Sequence, residues 1–149
     1  MGIILNQLYR LSDRDLGAPY GRVYLPPEAT ATAGAATLSA VVQVQTDRPV
    51  LLTNLTALML PGAAQTLTHG FLEMGPNNVV SAQRFIAIFV PQVGLPAATR
   101  IVHNWTGEII VPPGFFIRAR GEFNAGAAAN FVSLQAMGLS IPLGTMQLP

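Results

Sequence analysis

Thr37-Leu-Ser-Ala-Val-Val-Gln-Val-Gln-Thr46 sets the period of this chain. Leu38, Ala40, Val42 and Val44 fall at every second position, with Thr37, Ser39, Gln43 and Gln45 on the opposite side. Side chains alternate across an extended strand, so this spacing makes one apolar face and one polar face. Asp47-Arg48-Pro49 turns the chain, and Val50–Leu60 follows as a long strand that is apolar on both faces. A strand buried on one side needs only one apolar set; a second set calls for a second covering layer.

The same reading extends to the rest of the chain. Thr66–Met74, Val79–Val90, Arg100–Thr106, Glu108–Val111, Phe115–Phe123 and Asn130–Ile141 read as strands. Pro61-Gly62, Gly75-Pro76-Asn77-Asn78, the loop Gln92–Ala98, Pro112-Pro113-Gly114 and Asn124–Asn130 punctuate them. Proline presets φ and glycine tolerates reversal, so these are turns with a mechanism. No twelve-residue window sustains a 3.6 period without a proline or glycine. About eight strands at a spacing of roughly ten residues predict an all-β fold, a jelly-roll-like antiparallel β-sandwich.

Residues 1–36 differ. Tyr9, Tyr20 and Tyr24, the mixed-charge run Arg10–Gly17 and Pro26-Pro27 lead into Glu28-Ala-Thr-Ala-Thr-Ala-Gly-Ala-Ala36. This reads as an extended N-terminal arm and linker, with the sandwich domain and a short C-terminal tail over 37–149.

Composition narrows the function. The chain has 149 residues, half of them apolar and only 10% charged, against about a quarter in a typical soluble domain. All eight basic residues are arginine, cysteine is absent and the net charge is +1. Disulfides and thiolate metal sites are therefore excluded. Arg118 and Arg120 are the only basic cluster, which gives nucleic-acid binding no electrostatic footprint. No stretch approaches the ~20 apolar residues of a membrane helix, and Asn6, Gln7 and Arg10 interrupt any signal-peptide core. Near-zero net charge lowers solubility unless the surface is covered, which points to assembly.

Catalytic chemistry is poorly supplied, and an enzyme is not expected. His69 and His103 are far apart and fit no metal-ligand spacing. His69, before Gly70, reads as a solvated loop residue; His103, in line with Ile101 and Trp105, as a hydrogen-bonded structural histidine. Asp13 and Asp15 lie on either side of Arg14, with Arg10 just upstream, and this mixed-charge pair is read as mutual neutralisation. Glu108 and Glu122 fall on neighbouring predicted strands beside Arg118 and Arg120, where cross-strand ion pairs are expected. Trp105 reads as core or interface. No cofactor is expected.

The stretch Trp105-Thr-Gly-Glu-Ile-Ile-Val-Pro-Pro-Gly-Phe-Phe-Ile-Arg-Ala-Arg-Gly121 resembles the late hairpin of viral and phage jelly-roll proteins. There a strand ends in Pro-Pro-Gly and the next returns along the sheet. Tumour-necrosis-factor-like domains and fibre heads share it. With the apolar composition and the arm, the chain resembles the bacteriophage capsid decoration (cement) proteins and minor virion β-sandwich proteins. That resemblance implies a homo-oligomer, a trimer in that family, bound to a major capsid protein on the virion surface and made in a host cytoplasm. The expected contacts are Ile3, Leu5, Tyr9, Arg10, Tyr20 and Tyr24 in the arm and Leu143, Met146 and Leu148 in the tail. The alternative is a receptor- or glycan-binding head of a phage fibre, which needs an exposed aromatic such as Trp105.

Overall fold

The computed structural model describes residues 22–24, 29–44, 48–77 and 84–141. Ten strands account for most of them: β1 (Arg22–Tyr24), β2 (Ala29–Ala33), β3 (Thr37–Gln43), β4 (Val50–Leu60) and β5 (Gln65–Gly75), then β6 (Arg84–Phe89), β7 (Gln92–Leu95), β8 (Ile101–Val111), β9 (Phe116–Phe123) and β10 (Asn130–Ser140). Among the described residues there is no helix.

All pairings are antiparallel and fall into two sheets. The first runs β1-β10-β4-β8, with β2 also on β10; the second runs β3-β9-β5-β6, with β7 also on β5. From β2 onward the chain alternates between sheets except along β5-β6-β7, so that β2-β10-β4-β8 faces β3-β9-β5-β6. Such interleaving of two four-strand sheets is a jelly roll.

The inner faces supply the core. Leu52, Leu55 and Met59 of β4, Leu67 and Leu72 of β5, Ile117 and Ala119 of β9 and Val132, Leu134 and Ala136 of β10 are completely or almost completely buried. The alternating set Leu38, Ala40, Val42 and Val44 is buried as the sequence predicts. The second apolar set of β4 lies on the outer face of the first sheet, where Leu51 is buried and Leu58 and Leu60 are half-buried.

Several boundaries differ from the sequence reading. Ala29–Ala33 and Arg22–Tyr24, inside the stretch read as arm and linker, pair with β10. Counted from Thr37 there are eight strands, but two were read differently. Arg100–Thr106 and Glu108–Val111 are one strand, β8, and the loop at Gln92–Ala98 contains β7. Within Val79–Val90, strand β6 covers Arg84–Phe89, and residues 78–83 lie outside the described residues.

The Pro-Pro-Gly segment is also corrected. Phe115 N–H donates to the Pro112 carbonyl at 3.3 Å, and Gly114 has φ 74°. That is the type II turn pattern, with proline at the second position and glycine supplying the positive φ at the third. It joins β8 of the first sheet to β9 of the second, so the chain crosses the sandwich instead of returning along one sheet.

Candidate functional site

The centre of the second sheet carries the densest polar chemistry. Alternation sends Ile117, Ala119 and Phe123 of β9 inward and Arg118, Arg120 and Glu122 outward; on β5 it sends His69, Phe71 and Glu73 outward. Register places Glu73 opposite Arg118, Phe71 opposite Arg120 and His69 opposite Glu122. Arg118 donates from Nε (2.8 Å) and Nη2 (2.5 Å) to Glu73 Oε2. Arg120 donates from Nε (3.2 Å) and Nη2 (2.7 Å) to Glu73 Oε1, and its Nη1 pairs with Glu122 Oε1. The Arg120 guanidinium also lies 4.1 Å from the centre of the Phe71 ring. His69 Nδ1 closes the row 3.4 Å from Glu122 Oε2.

Burial decides how this ladder behaves. The side chains of Glu73, Arg118 and Arg120 are 1%, 3% and 10% exposed, although they point away from the space between the sheets. Charges removed from water this far are stable only when paired and hydrogen-bonded. Here all four bonds to Glu73 come from planar guanidinium forks, the geometry that fits a carboxylate best. The ladder locks β5 to β9 in register. Both Glu73 oxygens are thereby occupied.

The expected Glu108 ion pair does not form there, because Glu108 is on β8 in the other sheet. Glu73 takes that place, 45 residues before Arg118. His69 is likewise a strand residue paired with Glu122, not a loop residue.

His103 stands on the inner face of β8, stacked on Phe89 at 3.9 Å with the rings 8° apart. Its Nε2 is buried and has no hydrogen-bond partner among the described residues, contrary to the expected hydrogen-bonded histidine. A Cβ at Gly70 would come to 3.3 Å from the Met59 methyl and the Phe89 ring and 3.4 Å from Nε2. Burial lowers the His103 pKa below the ordinary 6.5. Unfolded His103 takes its proton near 6.5 and folded His103 resists until lower pH, so the unfolded state binds more protons in between. His103 therefore makes stability fall as pH drops below about 6.5, with a slope of at most ~1.4 kcal/mol per pH unit. Denaturant midpoints between pH 7 and 5 should fall less steeply in His103→Phe than in the wild type; equal slopes would show that Nε2 is hydrated.

Trp105 is half-buried against the core, and a Cβ at Gly107 would meet its ring at 2.5 Å. Among the described residues no group of three or more His, Asp or Glu side chains is placed to hold a metal ion.

Among the described residues the exposed large apolar side chains are Phe85, Ile88, Val90, Val93 and Val102. The first four belong to β6, β7 and their connection; Val102 is on β8. On the outer face of the first sheet, register aligns Ser133, Leu58 and Val102 in one row and Leu139, Leu51 and Ile110 in another. Between them lies the polar row Gln135, Thr56 and Asn104, in which Thr56 Oγ1 lies 2.9 Å from Asn104 Oδ1. At one end of the sandwich Met74, Pro76, Arg84, Ile110, Pro112 and Phe115 line a groove of about 450 Å³.

Of the contact residues expected from sequence, Ile3, Leu5, Tyr9, Arg10, Tyr20, Leu143, Met146 and Leu148 lie outside the described residues. Tyr24 is in β1, opposite Met137. The surface features that sequence reasoning missed are the buried ladder and the apolar β6–β7 edge.

These features define an antiparallel jelly-roll domain with exposed apolar side chains on β6, β7 and β8. No protein-family model matches the chain, and no curated protein matches its sequence. Solved structures resemble it. A chain of the T13 viral particle of IBDV, infectious bursal disease virus, is 10% identical with a TM-score of 0.43; the match covers 84% of this chain and 31% of that one. The K2 cleaved adhesin domain of Lys-gingipain is 10% identical with a TM-score of 0.37, covering 88% of this chain and 96% of that one. The K3 adhesin domain from Porphyromonas gingivalis is 15% identical, with a TM-score of 0.37 and coverage of 68% and 63%. This chain thus spans about a third of the length of the viral chain it resembles.

Proposed function

We propose that this chain is a structural virion subunit, a capsid decoration or cement protein that self-assembles and bridges subunits of a phage head. The observation that carries the reading is apolar surface where a monomer would carry charge. Phe85, Ile88, Val90, Val93 and Val102 stand exposed on a chain with only fifteen Arg, Asp and Glu side chains in 149 residues. Association buries such surface at about 25 cal/mol per Å². The arm residues Ile3, Leu5, Tyr9, Arg10, Tyr20 and Tyr24 and the tail residues Leu143, Met146 and Leu148 are the contacts to neighbours and to the major capsid protein. The ionic ladder holds the subunit in register and takes no part in chemistry.

Light scattering on the purified chain tests this. The expected native mass is near three times 15.8 kDa. Deleting residues 1–21 should remove capsid binding while leaving the circular-dichroism spectrum of the sandwich intact. A well-behaved monomer, or full-strength capsid binding without those residues, would overturn the reading.

A further inference from the structure

Along one side of the sandwich the two sheets meet through β8 and β6. β8 pairs with β4 in the first sheet, and β6 pairs with β5 in the second. Across this seam the His103 ring of β8 stacks on the Phe89 ring of β6, 3.9 Å between centres and 8° from parallel. β6 is short, and its register with β5 shifts between Leu72 and Glu73, which leaves Ile86 without an opposite residue. Elements with few and irregular pairings lie at the low end of local stability.

We propose that this stack is an acid-released latch: a proton on His103 Nε2 parts β6 from β8 locally and bares the Phe89 and Trp105 rings, while the rest of the sandwich stays folded. The inference stands apart from the self-assembly reading above. Its ground is the position of Nε2, which is buried without a hydrogen-bond partner among the described residues. Its surroundings are Gly70, the Met59 methyl and the Phe89 ring, and none of these side chains offers an acceptor. A phenyl face attracts a cation, but the new proton lies in the imidazole plane, where a parallel ring cannot accept it. The N–H so created is a buried donor with nothing to bond, and only water can satisfy it. The ring as a whole is half-buried, so the seam itself is the short way out to water.

Among the described residues no charged side chain faces the ring to offset that proton. β4 turns Ala57 and Met59 toward it and carries no ionisable residue. On β5 the ring meets Gly70, while His69 and Glu73 point to the outer face. On β6 it meets Phe89; Arg84 stands at the far end of that strand, and no charged residue occurs from Phe85 to Thr99. β9 turns Arg118, Arg120 and Glu122 outward. On β8 itself Ile101 and Trp105 share the face, Arg100 precedes the strand out of phase with it, and Glu108 is exposed five residues on. The closed form therefore takes the proton less readily than the opened one. It loses ground as pH falls below about 6.5, by up to ~10-fold per pH unit.

Hydrogen exchange of the full-length chain between pH 7 and 5 tests the latch, read as protection factors so that the intrinsic pH dependence of exchange cancels. Amides of β6 and of Ile101–Thr106 should lose protection by up to ~10-fold per pH unit below about 6.5, while those of Val132–Ala136 at the centre of β10 keep theirs. Acrylamide quenching of Trp105, the single tryptophan, should rise over the same range. His103→Phe keeps the stack and cannot take the proton, so both responses should vanish in it. His103→Gln serves the same purpose if the phenylalanine variant does not fold. Equal loss of protection in β10 would mean that acid unfolds the whole sandwich, and it overturns the latch. So does a local loss that persists in either variant, no loss in the wild type, or a His103 imidazole resonance that titrates at or above 6.5.

Discussion

Glu73→Ala is expected to cost about 3–5 kcal/mol of folding stability, because it leaves the buried Arg118 and Arg120 guanidiniums without a counter-charge. At ~2–4 °C per kcal/mol for a domain of this size, the melting temperature should drop by about 6–20 °C. The loss comes from stranded charge and not from the net worth of the ion pairs, and a second variant separates the two. Replacing the triad by apolar residues of similar volume, Glu73→Leu with Arg118→Met and Arg120→Leu, removes the charge together with its desolvation cost. Its stability should return to within about 1 kcal/mol of the wild type or exceed it. Glu73→Gln should fall between, since it keeps one acceptor and turns an N–H₂ group toward a guanidinium. Equilibrium denaturation of the three proteins reads the series. A Glu73→Ala cost below about 1 kcal/mol would mean that the ladder is hydrated in solution, as surface ion pairs are.

The strand periods and turns were legible because they are local. Alternation in Thr37–Gln43 and the Pro112-Pro113-Gly114 turn follow from residues within a few positions of each other. What the sequence could not convey is which sheet a strand joins after a turn. A type II turn reverses the chain equally well into the same sheet or across the sandwich, so Glu108 was placed beside Arg118 although β8 and β9 belong to opposite sheets. Its true partner offered one local signal: in Phe71-Leu-Glu-Met74 a single carboxylate interrupts an otherwise apolar stretch. By sequence Gly107 separates two strands; in the structure it lies within β8 and makes space for the Trp105 ring. β7 was missed because Gly94 and Pro96 are loop residues by composition, and only pairing with β5 makes its four residues a strand. The expected arm and tail contacts depend on partners, which intrachain periodicity does not encode.

Asn130 carries the second large effect. Completely buried at the start of β10, its side chain ties together segments far apart in sequence. Its Oδ1 accepts from Gly62 N–H at 2.8 Å and from Gln65 Nε2. Its Nδ2 donates to the Ala35 carbonyl at 3.0 Å and the Ala125 carbonyl at 3.3 Å. The β4–β5 turn, the β2–β3 connection and the β9–β10 loop are thus pinned at one point. An apolar residue there strands several buried polar groups at about 1–3 kcal/mol each, so Asn130→Leu should lose ~3–5 kcal/mol after partial relaxation.

Asn130→Asp keeps the shape and probes the direction of the bonds. A carboxylate can still accept from Gly62 and Gln65, but it turns an oxygen toward two carbonyl oxygens unless it is protonated. Folding therefore raises the pKa of the new carboxyl above its unfolded value near 3.9. A group whose folded pKa is raised holds its stability below the unfolded pKa and loses it as pH rises through the folded one. Asn130→Asp should accordingly approach wild-type stability near pH 4 and fall progressively behind it toward pH 7. His103 drives the wild type the opposite way, losing stability on acidification, so the difference between the two curves isolates the Asn130 effect. A pH-independent difference would show that no carbonyl faces Nδ2, and the loops would then be held by the β10 pairings alone.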